Sequence, residues 1–271
     1  MKKLLYLFTA SLVVLTSCSS DDDSSIITPS EDISILPKTI SYIYPSTFLG
    51  TNSKSINTYS GNKILNIIDE NSKTIYTYDG SIITKQEQFS LGENGKETKS
   101  REVVYAYENG KLKTRIYKTG ISEINPNGVY VSKTVYTYNP DGTISYILYS
   151  IDSKTQVETK QGTGKLTYKD GNLIKSEVNS DIYSFQNGVR TFEYDTKKNP
   201  LKNILGFSSL LDEVEDCGNN NVIKITRTRP DYPNPSVYLT TYIYNDNGYP
   251  AKRTSFAGDG KSIEYEIEYT Y

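Results

Sequence analysis

The chain has 271 residues, 36% hydrophobic and 23% charged, which suffices for one large all-β domain or two ordinary ones and is too apolar for disorder. Its 30 basic and 32 acidic residues are interspersed, leaving a formal charge of -2 and no basic patch of the kind nucleic acid requires. With 0 His the commonest general base and metal ligand are missing, so triads, His–Cys dyads and most zinc sites are excluded and no cofactor is called for. Tyrosine is over-used, 25 against 7 Phe and 0 Trp, a ring that packs on one side and keeps a hydroxyl for water or a partner, which suits half-exposed sheet.

Lys2 and Lys3 followed by the apolar run Leu4 to Leu15 form the charged and hydrophobic regions of a secretory signal, too short for a permanent membrane helix. Leu15-Thr16-Ser17-Cys18 resembles the bacterial lipobox, which implies cleavage before Cys18 and lipidation of that residue. Residues 1–17 are therefore read as a lipoprotein signal peptide and residues 18–37 as a flexible acidic, Ser-rich tether. Within the tether Ser20, Asp21, Asp22 and Asp23 resemble an export signal of Bacteroidota lipoproteins, or else serve as a plain solvated linker. If Cys18 carries acyl chains, Cys217 has no partner for an intramolecular disulfide.

From residue 38 onward one unit returns. Dyads of aromatic or apolar residues two apart occur at Tyr76/Tyr78, Tyr105/Tyr107, Tyr136/Tyr138, Leu166/Tyr168, Phe192/Tyr194, Tyr242/Tyr244 and Tyr269/Tyr271, in steps of 29, 31, 30, 26, 50 and 27. Asn-Gly or Asp-Gly pairs begin at Asp79, Asn94, Asn109, Asn127, Asp141, Asp170, Asn187, Asn247 and Asp259, the turn chemistry of hairpins. From Asp79 to Asp141 they step at half the dyad period, so each repeat is two strands with a turn at both ends. The expected architecture is all-β: a long up-and-down antiparallel meander, about a dozen or more strands of about ten to twelve residues, curled into a barrel-like shell that hides its edges.

The Tyr-x-Tyr-(Asp/Asn/Glu)-x-Gly-x-Leu/Ile pattern resembles the YD repeats of Rhs-type proteins. More closely it resembles an uncharacterised family of Bacteroidota lipoproteins described as having a porin-like fold. The resemblance spans nearly all of residues 38–271 and implies a fold; its residues are those of turns and strands, so it implies no activity.

The 50-residue step predicts a helical insertion over residues 199–218. Asn199 can cap, Pro200 fits the first helical position, and Leu201, Ile204 and Leu205 share a face. Ser209-Leu210-Leu211-Asp212 approximates a second capping box. The insertion is either a plug offering Asp212, Glu213, Glu215 and Asp216 to a ligand, or an apolar helix closing the core with a solvated acidic face. The acids lack the spacing and the Gly of a calcium loop, which favours the second reading. Cys217 has no His to activate it and is read as inert.

These features point to a non-catalytic binding or structural module, lipid-anchored through Cys18 at the outer membrane and facing outward, with a glycan or peptide ligand left open. One alternative is a carboxylate-dependent glycan hydrolase, for which Glu264, Glu266 and Glu268 share a strand face; even alternation is better explained as the wet face of an amphipathic strand. A transmembrane barrel is the other. Simple alternation in residues 96–103 puts Lys96, Thr98, Ser100 and Glu102 on one face and Glu97, Lys99, Arg101 and Val103 on the other, so charge would fall on both sides of the wall.

Overall fold

The computed structural model describes residues 35–214 and 217–271. The signal segment, Cys18, Ser20, Asp21, Asp22 and Asp23, most of the tether, and Glu215 and Asp216 lie outside those residues. Sixteen antiparallel strands form a closed barrel in which each strand pairs with its sequence neighbours and the last returns to the first. In chain order they are β1 (Thr39–Ile43), β2 (Ser53–Ser60), β3 (Lys63–Ile68), β4 (Ser72–Asp79), β5 (Ile82–Leu91), β6 (Glu97–Glu108), β7 (Lys111–Thr119) and β8 (Tyr130–Tyr138). The second half comprises β9 (Ile144–Ile151), β10 (Glu158–Lys169), β11 (Asn172–Ser180), β12 (Gly188–Tyr194), β13 (Val222–Thr228), β14 (Ser236–Tyr244), β15 (Pro250–Phe256) and β16 (Ile263–Thr270). The meander and its closure are as expected; only β5, β6 and β10 reach ten or more residues, because turns and bulges take up the rest of each repeat.

The turns are set by their glycines. In all nine Asn-Gly and Asp-Gly pairs the Gly adopts positive φ, from 56° at Gly80 to 155° at Gly188, a region that residues with a Cβ rarely enter. The two ends of the barrel differ. Even-numbered strands finish, and β1 begins, at one end, where the connections are short except between β12 and β13. Longer loops join strands at the other end, and exposed apolar side chains gather there, Phe48, Ile124 and Phe185 among them.

The aromatic dyads lie where the even-numbered strands finish, and a register shift falls just before the second member at Tyr78, Tyr107, Tyr168, Tyr194 and Tyr244, as it does before Tyr59 on β2. Each bulge leaves a residue unpaired and tightens the local twist. The dyads point into the barrel: Tyr105 is 5% exposed and Tyr136 1%, while most of the other members are half-exposed, as composition suggested, but toward the interior. The tyrosine hydroxyls then find backbone acceptors one hairpin back. Tyr107 donates to the Ile83 carbonyl at 2.9 Å, Tyr194 to Leu173 at 2.7 Å and Tyr271 to Pro250 at 2.8 Å. A Phe at these positions fills the same space and leaves those carbonyls bare.

On the outer face, lysines and glutamates pair across strands. Lys73 meets Glu97 at 2.8 Å, Lys99 meets Glu87 at 2.6 Å, Lys133 meets Glu158 at 2.9 Å, Lys224 meets Glu193 at 2.7 Å, and Lys252 meets Glu266 at 2.7 Å. Simple alternation misplaced part of this set. The register of β5 and β6 shifts at Phe89, so Ser100 is an extra residue, and Glu97, Lys99 and Glu102 fall together on the outer face while Arg101 and Val103 turn inward. Charge still falls on both faces in that stretch, but the lysine and the glutamates share the outer one and the arginine takes the inner one.

Candidate functional site

The connection from β12 to β13 closes one end of the barrel and defines what the interior can do. Its start behaves as a cap: Asn199 Oδ1 accepts the Leu201 N–H at 2.8 Å. The expected α-helix does not follow. The Leu205 N–H, which would close an α-turn on Leu201, donates instead to Asn62 O in the β2–β3 turn at 2.8 Å, and Gly206 at φ 86° turns the chain away. A 3-10 run over Phe207–Glu213 comes next, interrupted by Leu211 at φ 59°, and Ser209 caps nothing. Hydrogen bonds tie the insertion to the turns around it: Lys198 N–H to Gly248 O, Asn219 Nδ2 to Asp170 O, and Asn203 Nδ2 to Ile35 O. The described chain thus enters the barrel at this floored end.

Ile204, Phe207 and Leu210, at most 3% exposed, pack against Ile64, Ile83, Leu112, Leu166 and the rings of Tyr76, Tyr105 and Tyr136, all from β3 to β10. The two acids that follow part company: Glu213 is drawn in against Arg115 with 15% of its side chain exposed, which corrects the solvated face expected there, while Asp212 stays exposed on the cavity side. Arg115 Nε lies 2.5 Å from Glu213, and the Tyr136 hydroxyl donates to the same carboxylate at 3.1 Å. Burial pushes the Glu213 carboxyl up to about 7 against the pull of Arg115, and desolvation inside the barrel likewise raises Asp212. Periodicity hid this, because the run is not α-helical and its faces do not follow a 3.6-residue repeat.

On the other side of the insertion a cavity of about 530 Å³ remains open, walled by β11 to β16 and β1. Tyr42, Phe192, Tyr194, Tyr242 and Tyr265 supply rings, Arg190 and Arg253 positive charge, and Asp212 a carboxylate; Leu211 and Cys217 belong to the floor. A space of this size fits one small molecule. Among the described residues no group of three or more His, Cys, Asp or Glu is placed to hold a metal.

Register explains the charge. Arg101, Arg115, Arg190, Arg227 and Arg253, the five arginines on strands, all fall on the inner face, while the ion-paired lysines fall on the outer one. Sequence reasoning missed this division, although the signal was present: each arginine sits at the parity of an inward aromatic, as Arg190 does relative to Phe192 and Tyr194, and Arg253 directly opposite Tyr242. Glu266 and Glu268 lie opposite Thr254 and Lys252 on the outer wall, with Glu266 held by Lys252, and so do not face the cavity.

The barrel is similar to a porin-like protein from Bacteroides vulgatus, with 13% sequence identity over 88% of this chain and 98% of that one and a TM-score of 0.56. A porin-like protein from Bacteroides uniformis gives 8% identity, coverage of 86% and 97%, and a TM-score of 0.47. No family model matches the chain, and no curated protein does. The first likeness defines the class as a porin-like closed β-barrel. The YD repeats of Rhs-type proteins do not figure in these likenesses, and that resemblance rests on the motif alone.

Proposed function

We propose that this protein is a cell-envelope lipoprotein, tethered to the outer membrane by acyl chains on Cys18 and exposed at the surface, whose barrel is a non-catalytic binding module with its site in the lumen. The observation that carries the anchoring is the outer wall: ion pairs are spread over it from Lys73–Glu97 to Lys252–Glu266. A lysine facing lipid near the midplane costs about 2 to 4 kcal/mol, so a wall of this kind favours water. Acyl chains supply the membrane affinity the wall lacks, about 0.8 kcal/mol per buried methylene.

A second reading, a barrel that spans the bilayer, is favoured by closure into 16 strands and by the porin-like likeness. Strands such as β9 and β14 help it, with Ile147, Tyr149 and Ile151, or Val237, Leu239 and Ile243, on the outer face. The glycan-hydrolase reading gains nothing, since the Glu264–Glu268 strand presents its acids outside the cavity. Changing Cys18→Ala and fractionating cells decides between tether and span. Release of a folded variant from the membrane fraction is expected; retention through alkaline carbonate washing would establish the spanning barrel instead.

A further inference from the structure

Within the lumen, Arg190 on β12 and Arg227 on β13 are directly opposite each other in the antiparallel register. Directly opposed side chains share a face with Cβ atoms about 4.5 to 5.5 Å apart, and like charges so placed destabilise a sheet. Other inward arginines are answered: Arg115 by Glu213, Arg101 by the Tyr117 ring, and Arg253 by Tyr265. Neither Arg190 nor Arg227 makes an ion pair at contact distance among the described residues, and Asp212 attracts Arg190 only from further off. Arg190 lines the cavity, whose only acid among the described lining residues is Asp212, so the cavity carries excess positive charge. Guanidinium pairs match oxyanions, which accept two parallel hydrogen bonds from each fork.

We propose that Arg190 and Arg227 hold the oxyanion group of a small molecule, a sulfate, phosphate or carboxylate, whose ring lies among the cavity aromatics Phe192, Tyr242 and Tyr265. The proposal names the ligand class for the binding module described above and rests on that reading of the lumen; it does not depend on how the protein is held at the membrane. The opposed arginines are then a site left electrostatically incomplete in the free protein and completed by its ligand.

Calorimetric titration of the purified full chain in detergent tests this, with para-nitrophenyl sulfate, para-nitrophenyl phosphate and benzoate as probes, the neutral para-nitrophenyl glucoside as control, and inorganic sulfate to isolate the anion. At least one aryl anion should bind, more tightly than inorganic sulfate, and more weakly as salt is raised. Arg190→Gln and Arg227→Gln should each weaken it about tenfold or more, the loss of a charge-assisted hydrogen bond. The unliganded variants should melt no lower than wild type, because a like-charge contact has been removed. Three results overturn the proposal: no aryl anion binds, binding survives both substitutions, or the variants melt lower and so show the arginines to be structural. Inorganic sulfate binding as tightly as the aryl anions would remove the rings from the site. A barrel that binds but stays in carbonate-washed membranes would overturn the lipid tether and leave the anion site standing.

Discussion

The insertion divides the barrel into two halves that treat the same repeat differently. Along β3 to β10 the inward aromatics close on Ile204, Phe207 and Leu210 and the interior is dry; along β11 to β16 and β1 similar inward aromatics face open space and share it with arginines. Inward parity is common to both halves, so what separates them is which side of the barrel one irregular segment leans on. Packing consumes the first set of rings, and the second set is left to a ligand.

Truncation should expose that difference most strongly. Leu210→Ala, at a site with no exposure, should cost about 2 to 5 kcal/mol in denaturant unfolding, whereas Ile225→Ala in the cavity wall should cost about 1 kcal/mol. Similar losses at both positions would mean that the cavity half is as tightly packed as the dry half.

Next in size is a pH effect that belongs to the dry half. Glu213 titrates near 7 when folded against a usual 4.5, so the folded state binds the extra proton between those values and stability declines as pH rises through them. Below the usual value the contribution is fully present. Each unit of separation corresponds to about 1.4 kcal/mol, so the decline should be measurable in unfolding curves taken across this range, and Glu213→Gln should flatten it. A wild-type stability that rises from about pH 4.5 to about 7 would contradict the buried setting of this carboxylate.

Smaller effects should be shared by both halves. Tyr107→Phe and Tyr194→Phe each remove one hydroxyl-to-carbonyl bond, at Ile83 and Leu173, and should each cost about 1 kcal/mol. Smallest of all, Lys224→Gln on the outer wall should change stability by about 0.5 kcal/mol or less, since its pair with Glu193 is well exposed. An effect at Lys224 larger than at Tyr107 would move the source of stability from the interior to the shell.

The sequence made the meander legible because its turns are written in glycines that only positive φ explains, and its dyads mark strand ends at a fixed spacing. Edges that need hiding pointed to a curled shell, but the spacing gave only about a dozen or more strands and left the count of sixteen to the structure. Less legible was anything depending on a bulge: a single extra residue at Ser100 sends Lys99 and Arg101, which share a face in simple alternation, to opposite faces. The insertion was the least legible part, because Leu205 satisfies its backbone on a turn more than 140 residues away, a competition no local capping rule contains. The candidate cavity was hidden for the same reason, its floor being that insertion.

The seam of the barrel has a consequence in time. β1 pairs with β16, and the Thr39 and Thr270 hydroxyls lie 2.8 Å apart across 231 residues. Every other strand meets its neighbour as soon as the next hairpin is made, but β1 must wait until almost the whole chain has been delivered. Until then the growing meander carries two bare edges, each able to recruit a strand from another molecule. The interval between the first strand and the last is therefore the protein's most vulnerable period, and its length is set by the rate at which the chain is delivered and not by the stability of the finished barrel.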